Sequence, residues 1–401
     1  MPTFQYEAKT LRGNIVKGKI DAPDEETIVE ILRRKDHYPI KIVEYKEGFN
    51  VNLSEYQRIP MKDISIFARQ FAVVLEAGIT ILKAIEILKE QSENRKLKRI
   101  LSEVFEEIQK GNSLSEAMGK HKDFPKMFIS MIAVGEASGT LDSIMNRMAG
   151  YYDKEYRLRQ KIKSAVTYPI IVSVFAVLVV AMLVTFVLPR FVVMLDSLGV
   201  KELPLPTRIV MGISSILQHY YIIIILIIIA IIVLVNRAIK TENGTKALDT
   251  FKMKVPMFGS IYQKIVTARF ARTFGILVTS GLSVIDSIAI SKEVVGNVVI
   301  KNVLDALEED IKKGESLGES LKTSNVFPLM LSQMIKIGEE SGTLDYVLDK
   351  TAEFYDGEVD SATAQIAVMV EPLIIIVLSV VVGFIIISVI LPIFNIYNAM
   401  G

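Results

Sequence analysis

Gly135-Glu136-Ala137-Ser138-Gly139-Thr140-Leu141-Asp142 returns 203 residues later as Gly338-Glu339-Glu340-Ser341-Gly342-Thr343-Leu344-Asp345, altered only at Ala137 against Glu340. Sliding the chain along itself by that offset aligns further landmarks without a gap. Phe67-Ala68-Arg69 falls on Phe270-Ala271-Arg272, Gly78 on Gly281, Gly111 on Gly314, and Phe124-Pro125 on Phe327-Pro328. Pro169 then meets Pro372, and Leu188-Pro189 meets Leu391-Pro392. The chain is an internal duplication, and with two units it is not a solenoid, which needs at least about three repeats.

Within each unit the pattern is helical. Ile64, Phe67, Ala68, Phe71 and Leu75 recur at steps of three and four, with Gly78 placed to end that helix. Ile81, Ile85 and Leu88 mark a second helix, and Leu97 to Ile108 a third, closed by Gly111. Ser113-Leu114-Ser115-Glu116 reads as a capping box, repeated as Ser316-Leu317-Gly318-Glu319. A helix after Phe124-Pro125 leads to the Gly135–Gly139 turn, in which both glycines release the backbone, Thr140 caps the next helix and Asp142 favours its positive end. Each unit is expected to be a six-helix antiparallel bundle whose last helix leads toward the membrane.

The membrane follows from composition. Of 401 residues 51% are hydrophobic, with mean hydropathy +0.39, and the excess sits in three stretches without Asp, Glu, Lys or Arg. Each exceeds the roughly 20 residues that cross a bilayer as a helix. Transmembrane helices are expected at 164–189, 209–236 and 372–391, with an external loop at 190–208 and a tail at 392–401. Pro169 and Pro372 stand where the first and third spans begin; in a continuous helix they would mark kinks. Bundles are expected at 61–163 and 237–371, and a linker at 47–60. Residues 1–46 read as a small α/β module: alternation through Phe4, Tyr6 and Ala8, a turn at Leu11-Arg12-Gly13-Asn14, a strand at Ile15–Ile20, a helix from Pro23 to about Lys35, and a strand at Ile40–Tyr45.

Met1 opens a polar segment without the features of a cleavable signal peptide. Lys154, Arg157, Arg159, Lys161 and Lys163 precede the first span, and Arg237, Lys240, Lys246, Lys252 and Lys254 follow the second. The positive-inside rule puts both bundles and the N-terminus in the cytosol. The third span is approached by acids, so its outward direction and the external C-terminus rest on alternation alone. Residues 67–163 hold seventeen Lys and Arg against thirteen Asp and Glu, a net of +4, while the aligned 270–366 hold eight against sixteen, a net of −8. This is either ordinary solvated helix face, or a sign that the bundles meet different partners or that a basic first copy docks on an acidic second.

Chemistry is sparse. There is no cysteine, and His37, His121 and His219 sit in no ligand spacing. The repeated glycine motif lacks the G-x-x-x-x-G-K-[ST] spacing and carries acids that repel phosphate. Glu136 with Asp142, or Glu339 with Asp345, would offer a cation oxygen ligands only if two bundles packed face to face; helix-start charges in water are the simpler reading. Tyr151-Tyr152 and Phe354-Tyr355 read as matched packing anchors. A transporter or channel built from a duplicated unit is the rival class, disfavoured because the spans lack ionisable coupling groups.

Phe4-x-Tyr6-x-Ala8 with Gly13 and Gly18, two copies of Phe-Ala-Arg, Gly-x-Ser-Leu and Gly-Glu-x-Ser-Gly, and spans placed after copy one, between the copies and after copy two, together resemble the type II secretion system F family. That family comprises inner-membrane platform proteins of type II secretion and type IV pilus machines. The resemblance covers essentially the whole chain. It implies a non-enzymatic, homo-oligomeric platform without cofactor or directly bound nucleic acid, embedded in membrane lipid beside other inner-membrane machine components. A hexameric assembly or retraction ATPase would contact it and drive pilin or pseudopilin subunits into a fibre. The motif positions map to Phe67, Gly78, Gly111, Pro125, Gly135 and Gly139, with Phe270, Gly281, Gly314, Pro328, Gly338 and Gly342 in copy two; the family's Arg, Glu and Ser fall on Arg69, Glu136 and Ser138. Interaction and coupling are expected at Arg69, Glu136, Ser138 and Asp142 and at Arg272, Glu339, Ser341 and Asp345.

Overall fold

The computed structural model describes residues 3–10, 15–34, 37–44, 59–197, 203–256, 258–324 and 326–400, in two compact units that meet in sequence at Arg58 and Ile59. The turn at Leu11–Asn14, residues 47–58 of the linker and 198–202 of the second connection lie outside the described residues.

The first unit is an antiparallel sheet of order β2-β1-β3, from β1 (Thr3–Thr10), β2 (Ile15–Asp21) and β3 (His37–Glu44). Helix α1 (Glu25–Arg33) covers it, burying Ile28 and Leu32 against Ala8 and Ala22. Asp24 caps α1, accepting from Thr27 N at 2.8 Å, so Pro23 lies before the cap and outside the first turn. β3 starts earlier than the sequence suggests because Pro39 is tolerated on an edge strand, opposite Ala8 where the register shifts.

The second unit holds both copies of the repeat. Copy one comprises α2 (Met61–Glu76), α3 (Ile81–Gln91), α4 (Arg95–Gln109), α5 (Leu114–Gly119), α6 (Lys126–Ser138) and α7 (Leu141–Met182). Copy two repeats them as α12 (Phe258–Thr279), α13 (Val284–Val295), α14 (Val298–Lys312), α15 (Leu317–Thr323), α16 (Leu329–Ser341) and α17 (Leu344–Met400). Gly78, Gly111, Gly281 and Gly314 all take positive φ where helices end, the conformation that favours glycine. Phe67, Phe71, Phe124 and Phe128 pack ring to ring at 5.6–6.0 Å in the first core, and Phe270 packs on Phe274 and Phe327 at 5.5 and 5.2 Å in the second.

The last helix of each copy does not stop at the bundle. Through the π-helical turn Leu183–Val187 and α8 (Leu188–Ser197), α7 runs helically over Leu141–Ser197, 57 residues that the 203-residue offset maps onto the 57 of α17. At about 1.5 Å per residue each extends some 85 Å. Pro169 and Pro372 are therefore interior to continuous helices and start neither helix. Helix also fills most of the expected loop and tail, 190–197, 205–208 and 392–400.

The stretch expected to cross as a single second span is two helices, α9 (Leu205–His219) and α10 (Tyr221–Ile239), broken at Tyr220 with φ −115° and ψ 16°. The reason is polar. Proline cannot donate a helical hydrogen bond, so Pro189 strands the carbonyl of Thr185 and Pro392 that of Ser388. Gln218 Nε2 donates to Thr185 O and Thr207 Oγ1 to Ser388 O, both at 2.5 Å. α9 is thus tied to the other two long helices, with Val210 packed among Val184, Leu188 and Ile385. α10, 19 residues with an 18-residue window of mean hydropathy 3.1, buries none of its side chains and is left to cross alone. Helix α11 (Glu242–Lys254) links it to copy two.

Candidate functional site

The repeated octapeptide is a joint between three helices. Gly135-Glu136-Ala137-Ser138 is the last turn of α6, so Gly135 is helical and does not release the backbone. Its role is close approach: a Cβ there would stand 3.0 Å from Leu141 Cα, and at Gly338 2.9 Å from Leu344 Cα. Gly139, at φ 71°, makes the turn, and its N–H and that of Thr140 both donate to Gly135 O. Thr140 does not cap α7. Ser138 donates to Val134 O at 2.7 Å, so the 2.7 Å contact between Ser138 and Thr140 uses the Thr140 proton, and its oxygen turns away from the α7 amides. Ser341 and Thr343 repeat this arrangement.

Glu136 faces away from Asp142. Its Oε1 accepts from Leu114 N at 2.6 Å and its Oε2 from Ser115 N at 3.0 Å, which caps the positive end of α5. With Ser113 accepting from Glu116 N and Glu116 from Ser113 N, the first four amides at that helix start are satisfied. Glu339 takes Leu317 N at 2.8 Å and Gly318 N at 2.9 Å in the same way. The second capping box does not form: the Ser316 hydroxyl donates to Glu339, and Glu319 is drawn to Lys336 at 2.6 Å. The Gly-x-Ser-Leu and Gly-Glu-x-Ser-Gly motifs are therefore one contact made twice. Among the described residues no group of three or more His, Asp and Glu is placed to hold a metal, and Asp142 and Asp345 are exposed.

Arg69 reaches Asp153 at 3.4 Å, and Arg272 bonds Asp356, the residue that corresponds to Asp153. Each pair joins the first and last helix of its copy. The environments differ, because the Arg69 side chain is 59% exposed and that of Arg272 6%, with its Nε buried and unpartnered.

Copy one covers Arg272. Leu277 of α12 enters the copy-one core, and Ile276, Leu282, Ile290 and Val294 pack against it. Glu155 of α7, 3% exposed, accepts from Arg269 at 2.8 Å and from Arg159 at 3.0 Å. Tyr151 Oη lies 3.4 Å from Thr273 Oγ1; burial, then the nearby Glu155 charge, push the Tyr151 phenol above its ordinary range. At the rim the charges run as net charge suggests, Lys126 to Glu293 at 3.6 Å and Lys161 to Asp360 at 2.5 Å. The buried centre runs the other way, with the acid on copy one. A cleft of about 390 Å³ opens beside it, lined by Arg147, Lys154, Arg272, Asp345, Tyr346 and Asp349.

The sequence reading missed Glu155, Arg269, Asp153 and Asp356, and also Asn94 and Asn297, matched caps of α4 and α14. Residues retained at aligned positions of two copies whose surfaces otherwise diverged, Asp153 with Asp356, Glu155 with Glu358 and Asn94 with Asn297, were the available signal; Arg269, aligned with Ile66, carried none.

The family described as Type II secretion system (T2SS), protein F, matches residues 67–189 and 270–392, and its N-terminal domain matches residues 1–43. The chain is 39% identical over 405 residues to the Type IV pilus assembly protein PilC of Thermus thermophilus, covering all of both chains. Identity to the Type IV pilus assembly protein PilC of Myxococcus xanthus is 33% over 400 residues, 99% of this chain and 95% of that one. To the Type II secretion system protein F of Vibrio cholerae it is 30% over 407 residues, again covering both.

Proposed function

The chain belongs to the type II secretion system protein F family, and from that membership we propose that it is the inner-membrane platform of a fibre-assembly machine, coupling a hexameric cytosolic ATPase to pilin or pseudopilin extraction and polymerisation. The observation that carries the coupling is continuity. Each bundle's last helix is also its membrane helix, 57 residues long, and the repeated joint fixes the start of that helix against α5 and α6. A push on either bundle is then passed to its span through unbroken helix. The positive-inside rule supports bundles on the cytosolic side, where an ATPase is available. The higher identity to relatives named for pilus assembly favours a pilus over a secretion fibre.

Affinity capture of the full chain from its host membrane tests the coupling. The expected result is co-purification of a hexameric ATPase and of a subunit with an N-terminal membrane helix. Capture of neither refutes it, and solute uptake by liposomes holding the chain alone would favour a transporter.

A further inference from the structure

Within residues 59–163 and 270–366, large apolar side chains stand exposed on two faces. Ile66 and Val73 lie on α2 of copy one; Leu329, Ile337 and Phe354 lie on α16 and α17 of copy two, while Tyr346 lines the cleft between the copies. The repeat explains where they fall. The 203-residue offset maps Ile66 to Arg269 and Val73 to Ile276, and it maps Phe354 to Tyr151 and Leu329 to Lys126. All four counterparts belong to the contact between copies inside the chain: Arg269 bonds Glu155, Ile276 packs on the copy-one core, Tyr151 meets Thr273 and Lys126 meets Glu293. Tyr151 is 4% exposed there, while Phe354 in the equivalent place is 47% exposed.

Each copy therefore carries both halves of one interface, and the chain uses one half of each. We infer that a second copy of this chain occupies the remaining halves, with α16–α17 of one chain docking on α2–α3 of the next. Three observations favour this occupant. The docking positions stay apolar in copy one, where Val73, Val74, Ile79 and Ile87 stand for Ile276, Leu277, Leu282 and Ile290; Val74 and Ile79 are half-buried on their own core, while Val73 and neighbouring Ile66 stand exposed. The contact between chains sets the net +4 copy against the net −8 copy. The geometry also suits a bilayer. α7 and α17 run side by side in one direction, with Lys161 bonded to Asp360 and, further along, Ser173 to Val184 facing Leu373 to Val381 across a groove. Repeating the step between copies keeps every long helix crossing in the same sense. The interface is head-to-tail, the kind that closes into rings or grows into filaments.

The inference deepens the platform reading by naming how platforms meet, and its test uses membranes without ATPase or pilin, so failure here leaves that reading standing. The chain contains no cysteine, which makes crosslinking clean. Gln70→Cys and Phe354→Cys correspond to the Thr273–Tyr151 contact. Two differently tagged full-length chains, one with each substitution, are co-expressed and oxidised in the membrane. The expected product is a mixed disulfide dimer, with none from either variant alone, because a head-to-tail contact never brings a residue to itself. No mixed dimer, or a dimer from one variant alone, overturns the inference. Phe354→Glu, at an exposed position, checks it separately: detergent-solubilised chain should fall to single-chain mass, and an unchanged oligomer mass contradicts it.

Discussion

Thr207 donates its hydroxyl to the carbonyl oxygen of Ser388, the group that Pro392 leaves without a helical donor, and both residues are almost wholly buried. In an apolar setting an unmade backbone bond is costly, so Thr207→Val, which keeps the shape and removes the donor, should destabilise the membrane region by about 1–3 kcal/mol. Thermal unfolding in detergent reads this. Thr207→Ser should retain most of the stability.

The two Arg–Asp pairs, alike in sequence and unlike in burial, should respond differently to the same change. Asp356→Asn leaves a buried guanidinium uncompensated, which costs about 3–5 kcal/mol in fully buried pairs, and somewhat less is expected here because Asp356 is 31% exposed. Asp153→Asn, opposite an exposed Arg69, should cost no more than about 1 kcal/mol. Parallel urea titrations of the two variants give the comparison, and equal losses would contradict the environments described.

Close helix crossing at the joint predicts a contrast between glycines. Gly338→Ala places a Cβ against the Leu344 backbone, which cannot yield as a side chain can, and should destabilise by about 1–3 kcal/mol. Gly150→Ala, helical with nothing within 4 Å, should stabilise by up to about 1 kcal/mol. Melting temperatures that move in the same direction would argue against the crossing.

Acid should loosen the bundles in a defined window. Lys120 and then Lys110 hold the Glu107 carboxyl at about 2, below its ordinary 4.5, and Lys292 and Lys312 lower Glu308 likewise. A carboxylate depressed in the folded state contributes stability that is fully present above its unfolded value and is lost as pH falls through the folded one. Stability should therefore hold from neutral pH to about 5 and decline below about 4.5. Glu107→Gln should flatten part of that decline in circular dichroism melts.

Helices and the duplication were legible because their signals are local: three-four spacing, glycines at helix ends, and one offset that aligns them all. Local rules failed where a distant partner decided the outcome. Thr140 has the right residue type and place for a cap, yet its hydroxyl is turned to donate to Ser138 and no helix amide reaches its oxygen. Pro169 resembles a helix start, yet the helix passes through it. The break at Tyr220 follows the polar residues Ser214, Ser215, Gln218 and His219, but the partner of Gln218 is the Thr185 carbonyl that Pro189 leaves open, 33 residues away. Of the expected coupling residues, Arg69, Glu136, Arg272 and Glu339 are drawn into contacts within the copies. Glu155 with Arg269 could not be paired from sequence, because the two lie 114 residues apart on different copies.

If this chain is the platform on which fibres are built, a count of surface fibres by electron microscopy in a host lacking the chain reads it directly. Fibres should be absent and should return with the wild-type chain. Glu136→Lys, which sets a cation against the positive start of α5, should insert in the membrane at normal levels and restore none. Normal fibres in the host lacking the chain, or in the Glu136→Lys strain, would contradict the account.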